Sequence, residues 1–208
     1  MTYIKEAFYP QTLQQAKDIC ITPNNNNPNK FEKETLSTIQ VIENEGLACY
    51  NSEVADFGCG MGRISKAVIE RFGSFVTGFD ISEPMLNFAV DYTLSKKYTP
   101  VLYSKEISED DYKEKYDLVI ILFVLQHSEH PLEDISFINT ILKPEGKILL
   151  INEKQRFVPT FIDNEGFIDW IDDGIIIEEE LSKYFSKENE HSYPNRYDNK
   201  LSVWKKLT

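Results

Sequence analysis

The chain has no apolar run near the roughly 20 residues that cross a bilayer. Its first residues, Met1-Thr2-Tyr3-Ile4-Lys5-Glu6, also lack the basic start and apolar stretch of a secretory signal. Neither a membrane span nor export is expected, and the expected location is cytoplasmic. Cysteine is scarce: Cys20, Cys49 and Cys59 form neither a metal-ligand spacing nor an even disulfide framework, so no metal is expected and the thiols read as reduced. Positive charge is short as well. With 22 Lys and Arg against 34 Asp and Glu, the formal net charge of -12 repels a phosphate backbone. Nucleic acid is thereby disfavoured as a partner, and a small-molecule substrate is the expected one; the sequence is silent on oligomeric state. Internal repeats and a linker are missing too, and 208 residues suit a single domain able to bury about 70% of its unfolded surface.

What is present is a regular alternation. Residues 1–45 hold two expected helices, Thr12 to Ile19 and Phe31 to Glu43, around a polar loop from Pro23 to Pro28. From Val54, short β-branched or aromatic runs alternate with segments of helical period. Expected strands cover Glu53–Phe57, Ser74–Phe79, Pro100–Ser104, Tyr116–Phe123 and Lys147–Ile151. Expected helices carry Ile64, Val68 and Phe72, then a start at Ser82 with Pro84 in its first turn, then Pro131 to Leu142. Such an order predicts an α/β, doubly wound, mostly parallel sheet with helices on both faces. Two further strands, Gly174–Glu178 and Lys200–Lys206, are expected to pair antiparallel at the C-terminal edge. The expected organisation is residues 1–45 as a helical lid, 46–153 as the cofactor-binding core and 154–208 as a substrate-side segment.

The run Asp56-Phe57-Gly58-Cys59-Gly60-Met61-Gly62 joins the first strand to a helix N-terminus, where glycines let a ligand approach backbone amides. A dinucleotide fingerprint would carry its third glycine where Arg63 stands, which argues against a nicotinamide cofactor. An acid two places before Gly-x-Gly-x-Gly is the pattern of class I, Rossmann-like S-adenosylmethionine-dependent methyltransferases, which the chain resembles from about Val54 to Glu153. The resemblance includes Asp80 at the end of the next strand. It extends to Tyr116-Asp117-Leu118-Val119, to Leu125-Gln126-His127, and to Leu142-Lys143-Pro144-Glu145-Gly146-Lys147, where Glu145 replaces a usual glycine.

The resemblance implies S-adenosyl-L-methionine as cofactor. It implies that Asp56, Gly58, Cys59, Gly60 and Gly62 border the methionine part, that Asp80 accepts the ribose hydroxyls, and that Ile81 and Met85 lie by the adenosine. Glu106 and Ile107, after the third strand, match the adenine contacts, and Leu122 offers a carbonyl to the cofactor ammonium. The Asn/Asp-Pro-Pro-Tyr signature of amino-group methylation on nucleobases is replaced by Leu122-Phe123-Val124-Leu125. Overall length and the C-terminal strand pair also resemble methyltransferases of bacterial surface-polysaccharide (capsule) biosynthesis, which implies O-methylation of a sugar or phosphoramidate precursor.

Methyl transfer needs mostly orientation, but a hydroxyl acceptor gains from a base with a pKa near neutrality. His127, beyond the fourth strand, is the first candidate base; it could equally cap the next helix. His191 is the second, and His130 reads as a surface residue. Lys154, Arg156, Tyr193 and Arg196 are expected at the substrate mouth, where the arginines would suit an anionic metabolite unless they are solvated. An N-methyltransferase of a small molecule, or a non-catalytic S-adenosylmethionine-binding subunit, remains as the alternative.

Overall fold

The computed structural model describes residues 3–21, 29–160, 168–193 and 199–207. After a 3-10 turn at Lys5–Phe8 come α1 (Leu13–Cys20), α2 (Lys30–Asn44), β1 (Glu53–Phe57), α3 (Arg63–Phe72), β2 (Phe75–Asp80), α4 (Glu83–Thr93) and β3 (Tyr98–Leu102). Then follow β4 (Tyr116–Leu122), α5 (Pro131–Ile141), β5 (Leu142–Ile151), β6 (Val158–Thr160), β7 (Asp169–Ile171), α6 (Ile177–Leu181), β8 (Phe185–Ser192) and β9 (Lys200–Lys206). Local chemistry sets several of these boundaries. The Thr12 hydroxyl accepts the Gln15 N–H at 3.2 Å to start α1, and the Ser82 hydroxyl accepts the Met85 N–H at 3.3 Å to start α4. Helix α3 ends at Gly73, whose N–H returns to the Ile69 carbonyl.

The main sheet has the order β3-β2-β1-β4-β5-β9-β8. Strands β1 to β5 are parallel, while β9 runs antiparallel to both β5 and β8, so the antiparallel addition sits at the C-terminal edge as expected. The unbroken apolar run of β4 makes sense in its centre. Val119 and Ile121 face one core with Phe57, Phe79 and Phe137, and Leu118 and Ile120 face the other with Ile42, Val54 and Val68. Chain direction in the sheet order reverses between β1 and β4, and in doubly wound sheets the crevice at that reversal, beyond the strands' carboxyl ends, holds the ligand.

Three strand expectations change, the simplest being β5, which begins at Leu142 rather than Lys147. Gly174–Glu178 is not a strand: Ile177 and Leu181, four apart and both buried, make the inner face of α6, with Glu178 to Glu180 in its first turn. The partner of β9 is instead β8, whose Ser186-Lys187-Glu188-Asn189-Glu190 run is exposed. An edge strand clothed in charge has no hydrophobic alternation to read, and that clothing keeps the edge from pairing further. Strand β3 begins two residues earlier than expected, because Tyr98 is buried beside β2 while Ser104 already belongs to the turn. That shift matters for the site.

Candidate functional site

The glycine turn after β1 is fastened to its neighbours by main-chain bonds. The N–H groups of Gly58 and Cys59 both donate to the Phe79 carbonyl, at 2.8 and 3.0 Å. Gly58 has φ +74°, and a Cβ there would lie 2.3 Å from Cγ2 of Val124, so backbone lines the cleft where a side chain has no room. A Cβ at Gly60 would likewise meet Cys20 Sγ of α1 at 2.6 Å. Asp80, at the end of β2, holds this turn: Oδ2 accepts the Gly60 N–H at 2.8 Å and Oδ1 the Ser82 N–H at 2.9 Å. Its carboxyl is buried, and burial pushes its pKa up to about 6, partly offset by those two donors.

Of the other residues expected here, Gly58, Gly60, Asp80, Ile81, Met85 and Leu122 line one cleft of about 1410 Å³. Asp56, Cys59 and Gly62 support the turn from behind. The Asp56 carboxylate accepts the Ser65 hydroxyl at 2.6 Å, its pKa also raised to about 6 by burial. The Cys59 thiol sits 3.4 Å from the Tyr98 hydroxyl, and Gly62 lies against Ala89 and Thr93 of α4. Glu106 and Ile107 do not line the cleft. Because β3 stops at Leu102, the following turn presents Tyr103, Ser104 and Lys105 there, leaving Glu106 exposed and Ile107 against the core.

The N-terminal residues, expected only as a lid, also supply walls. Tyr3, Phe8, Cys20 and Ile21 line the cleft, and this segment is tied to β6 by the Ile4 N–H to the Pro159 carbonyl at 3.1 Å. Three aromatics within Tyr3 to Tyr9, ahead of a helix, were the available signal. Phe123, the residue after β4, also lines the cleft and has φ +59°, a conformation unusual for a bulky residue and of the kind that clusters at ligand sites.

His127 lies in the turn after β4, with Nδ1 2.7 Å from the Phe157 carbonyl oxygen and Nε2 3.2 Å from Gln126 Nε2. Its ring packs against Phe8 and Trp170 at centroid distances of 5.7 and 5.5 Å, and it lines the cleft. Burial lowers its pKa from the usual histidine value. His130, read from sequence as a surface residue, lines the same cleft at the start of α5, 3.5 Å from a Glu129 oxygen. The other candidates fall elsewhere. His191 sits on β8, opposite Leu201, with Nε2 2.8 Å from Glu45 Oε1, so the long edge strand carries it away from the cleft. The Tyr193 hydroxyl donates to Glu34 Oε2 at 3.2 Å, standing behind the lining carboxylate rather than in the cleft.

Arg156 is 1% exposed. Its guanidinium donates to both Asp173 oxygens, at 2.9 and 2.8 Å, to the Leu125 carbonyl and to the Ser128 carbonyl at 2.7 Å. Those bonds leave no fork for a substrate anion; Arg156 braces the turn that carries His127. Lys154 is exposed and away from the lining, and Arg196 lies outside the described residues. Around the cleft, carboxylates (Glu34, Asp80, Glu83, Glu129, Glu133, Asp134, Glu153) outnumber lysines (Lys5, Lys30, Lys105). Among the described residues no cluster of His, Cys, Asp and Glu could hold a metal, and no helix is long and apolar enough to cross a membrane.

Comparison with known proteins fits this geometry. Residues 55–148 match the methyltransferase domain family. That stretch, a little under half of the chain, is similar to a class I methyltransferase domain. The chain is 27% identical over 117 residues to a ubiquinone biosynthesis O-methyltransferase of Haemophilus ducreyi, covering 52% of this chain and 48% of that protein. It is 33% identical over 109 residues to the protein of the same name from Idiomarina loihiensis, covering 51% and 44%. The chain thus spans about half the length of the curated relatives it matches. A crystal structure of a Pyrococcus horikoshii OT3 protein shares the fold over 98% of this chain and 100% of that one, with TM-score 0.69 and 21% identity. A Burkholderia thailandensis 1,6-didemethyltoxoflavin-N1-methyltransferase, solved with 1,6-didemethyltoxoflavin and S-adenosylhomocysteine bound, shares it over 85% and 79%, with TM-score 0.61 and 16% identity.

S-adenosylmethionine is the cofactor of such domains, and the residues of this one suit it. Asp80 faces the cleft with carboxylate lone pairs beyond those taken by Gly60 and Ser82, enough for two ribose hydroxyls. Ile81, Met85 and Leu102 offer apolar walls for the adenine. Bare backbone at Gly58 and Gly60, with Leu122 beside it, suits the methionine end.

Proposed function

We propose that the chain transfers the methyl group of S-adenosylmethionine to a hydroxyl of a small molecule, with His127 as general base. The observation that carries this reading is an imidazole on the cleft wall beyond β4, its Nδ1 2.7 Å from the Phe157 carbonyl oxygen. Bound S-adenosylmethionine would supply the methyl group, already activated by its sulfonium, and the sulfide leaving group. The chain's part is to hold the acceptor in line, exclude water and take a proton. The proton released by the acceptor hydroxyl would pass to His127 Nε2 on the cleft wall. A low pKa keeps the imidazole unprotonated near neutrality, ready for that proton. Phe8 and the rest of the Tyr3–Tyr9 segment, together with α1 against the glycine turn, act in this reading as the cover of the reaction space.

The O-methyltransferase name of the curated relatives supports a hydroxyl acceptor. The anionic acceptor expected from Arg156 and Arg196 loses Arg156, whose donors are used inside the fold. One observation favours a second reading: the excess of carboxylates around the cleft suits a cationic amine, which would make the transfer N-methylation.

Release of S-adenosylhomocysteine, measured against panels of phenols, sugars and amines, decides between them. With the hydroxyl acceptor so found, His127→Ala should lower turnover roughly 100-fold while S-adenosylhomocysteine affinity stays nearly unchanged. Full turnover in that variant, or turnover confined to amines, overturns the base assignment.

A further inference from the structure

We propose that Gln126 is a positioning residue: it fixes His127 in the neutral tautomer protonated at Nδ1 and keeps the Nε2 lone pair directed until an acceptor claims it. The inference rests on the reading of His127 as base, but the bonding can be assigned without it. Gln126 Oε1 is 2.6 Å from the main-chain N–H of Glu153, and an N–H must donate, so the atom facing it is the amide oxygen. That settles the amide orientation. The other end, Nε2, therefore presents its hydrogens to His127 Nε2 at 3.2 Å. A donor there requires a bare lone pair on His127 Nε2.

The second ring nitrogen tells the same story independently. Nδ1 is 2.7 Å from the carbonyl oxygen of Phe157, which can only accept, so Nδ1 carries the proton. Both ring positions are thus specified, and they specify the same form. The frame behind them is closed by main chain: Phe157 N–H donates to the Gln126 carbonyl at 2.8 Å, and Gln126 N–H donates to Asn152 Oδ1 at 2.9 Å. Neighbouring elements contribute little charge. Phe8 and Trp170 are neutral, and the charged group felt by the ring is the Arg156 guanidinium, which also favours the neutral form.

A proton on Nε2 would face the amide hydrogens of Gln126, so the same contact opposes the imidazolium. Gln126 is buried and borders the cleft, where an arriving hydroxyl can replace its weak, 3.2 Å bond with a better one. That exchange delivers the hydroxyl to the one nitrogen able to take its proton.

The test is nitrogen-15 NMR of the full chain labelled at histidine, titrated between pH 5 and 8, and it needs no acceptor. The wild type should show His127 as the Nδ1–H tautomer with a pKa below the ordinary histidine value. Gln126→Glu keeps an oxygen for the Glu153 N–H but places a carboxylate against Nε2, and should raise the His127 pKa by about one unit or more. Gln126→Ala should raise it less and mix the tautomers. An Nε2–H tautomer in the wild type, or a pKa unmoved in a folded Gln126→Glu protein, overturns the proposal. Failure of the base reading shows separately, as full turnover in His127→Ala.

Discussion

Cofactor affinity should depend on pH through Asp80. Its carboxyl has a pKa near 6 in the folded chain, against 3.8 as the ordinary value, because burial outweighs the N–H groups of Gly60 and Ser82. Two signs follow, and they are opposite. For the free protein, the folded state binds more protons than the unfolded one between about 4 and 6, so this group makes stability fall as pH rises through that window. For the complex, ribose hydroxyls donate to the ionised carboxylate, so affinity is full above the folded pKa and is lost as pH falls below it. With the pKa at about 6, roughly one protein in eleven is ionised at pH 5. S-adenosylhomocysteine should then bind about tenfold more weakly than at pH 7.5, a loss of about 1.4 kcal/mol.

Calorimetry across pH 5 to 7.5 measures this directly, with Asp80→Asn as the control. In that variant one carboxylate oxygen becomes an amide nitrogen that opposes a main-chain N–H, of Gly60 or of Ser82. Charge assistance to the ribose is lost as well, so affinity at pH 7.5 should drop about 10- to 100-fold and the acid limb should disappear. Asp56 has a pKa near 6 too, but sits behind the turn with Ser65. A flat wild-type curve, or an acid limb that survives in Asp80→Asn and so belongs to Asp56 or His127, refutes the reasoning.

Gly58→Ala places a Cβ 2.3 Å from the stiff, branched side chain of Val124 at φ +74°. It should cost about 2–4 kcal/mol in urea unfolding and abolish the melting-temperature rise with S-adenosylhomocysteine; a cost under about 0.5 kcal/mol would show the turn is not tight. Arg156→Ala strips partners from Asp173 and from the Leu125 and Ser128 carbonyls. It should cost about 3 kcal/mol of stability by the same measurement, and Arg156→Lys should recover only part because ammonium lacks the fork. Unchanged stability in Arg156→Ala would return the residue to the substrate.

The parallel core was legible because its physics is local. β1 and its glycine turn, the Ser82 cap and the doubly buried run of β4 each carry their signal within a few residues, and each stands where the sequence put it to within one or two positions. The misreadings share a different cause. A charged edge strand such as β8 is defined by its partner β9 rather than by its own pattern, and Ile175-Ile176-Ile177 reads as β-branched strand although Ile177 and Leu181 bury one side of a helical turn. Tertiary contact decided both.

The same division runs through the site. The part of the cleft proposed for the cofactor is made by one turn and the ends of adjacent strands, so a motif marks Gly58, Gly60 and Asp80 from their order along the chain. The part proposed for the acceptor is assembled from Tyr3 and Phe8, from the turn at Gln126-His127, and from Arg156 with Asp173 behind it, segments that no spacing rule connects. Arg156 shows what that costs. Read alone in an acidic chain, an arginine near the strand ends looks like an anion clamp; with Asp173 seventeen residues on, it is a brace. An acceptor's charge has to be read from groups that face the cleft with donors or lone pairs to spare, and Arg156, its donors spent on Asp173 and two carbonyls, is not among them.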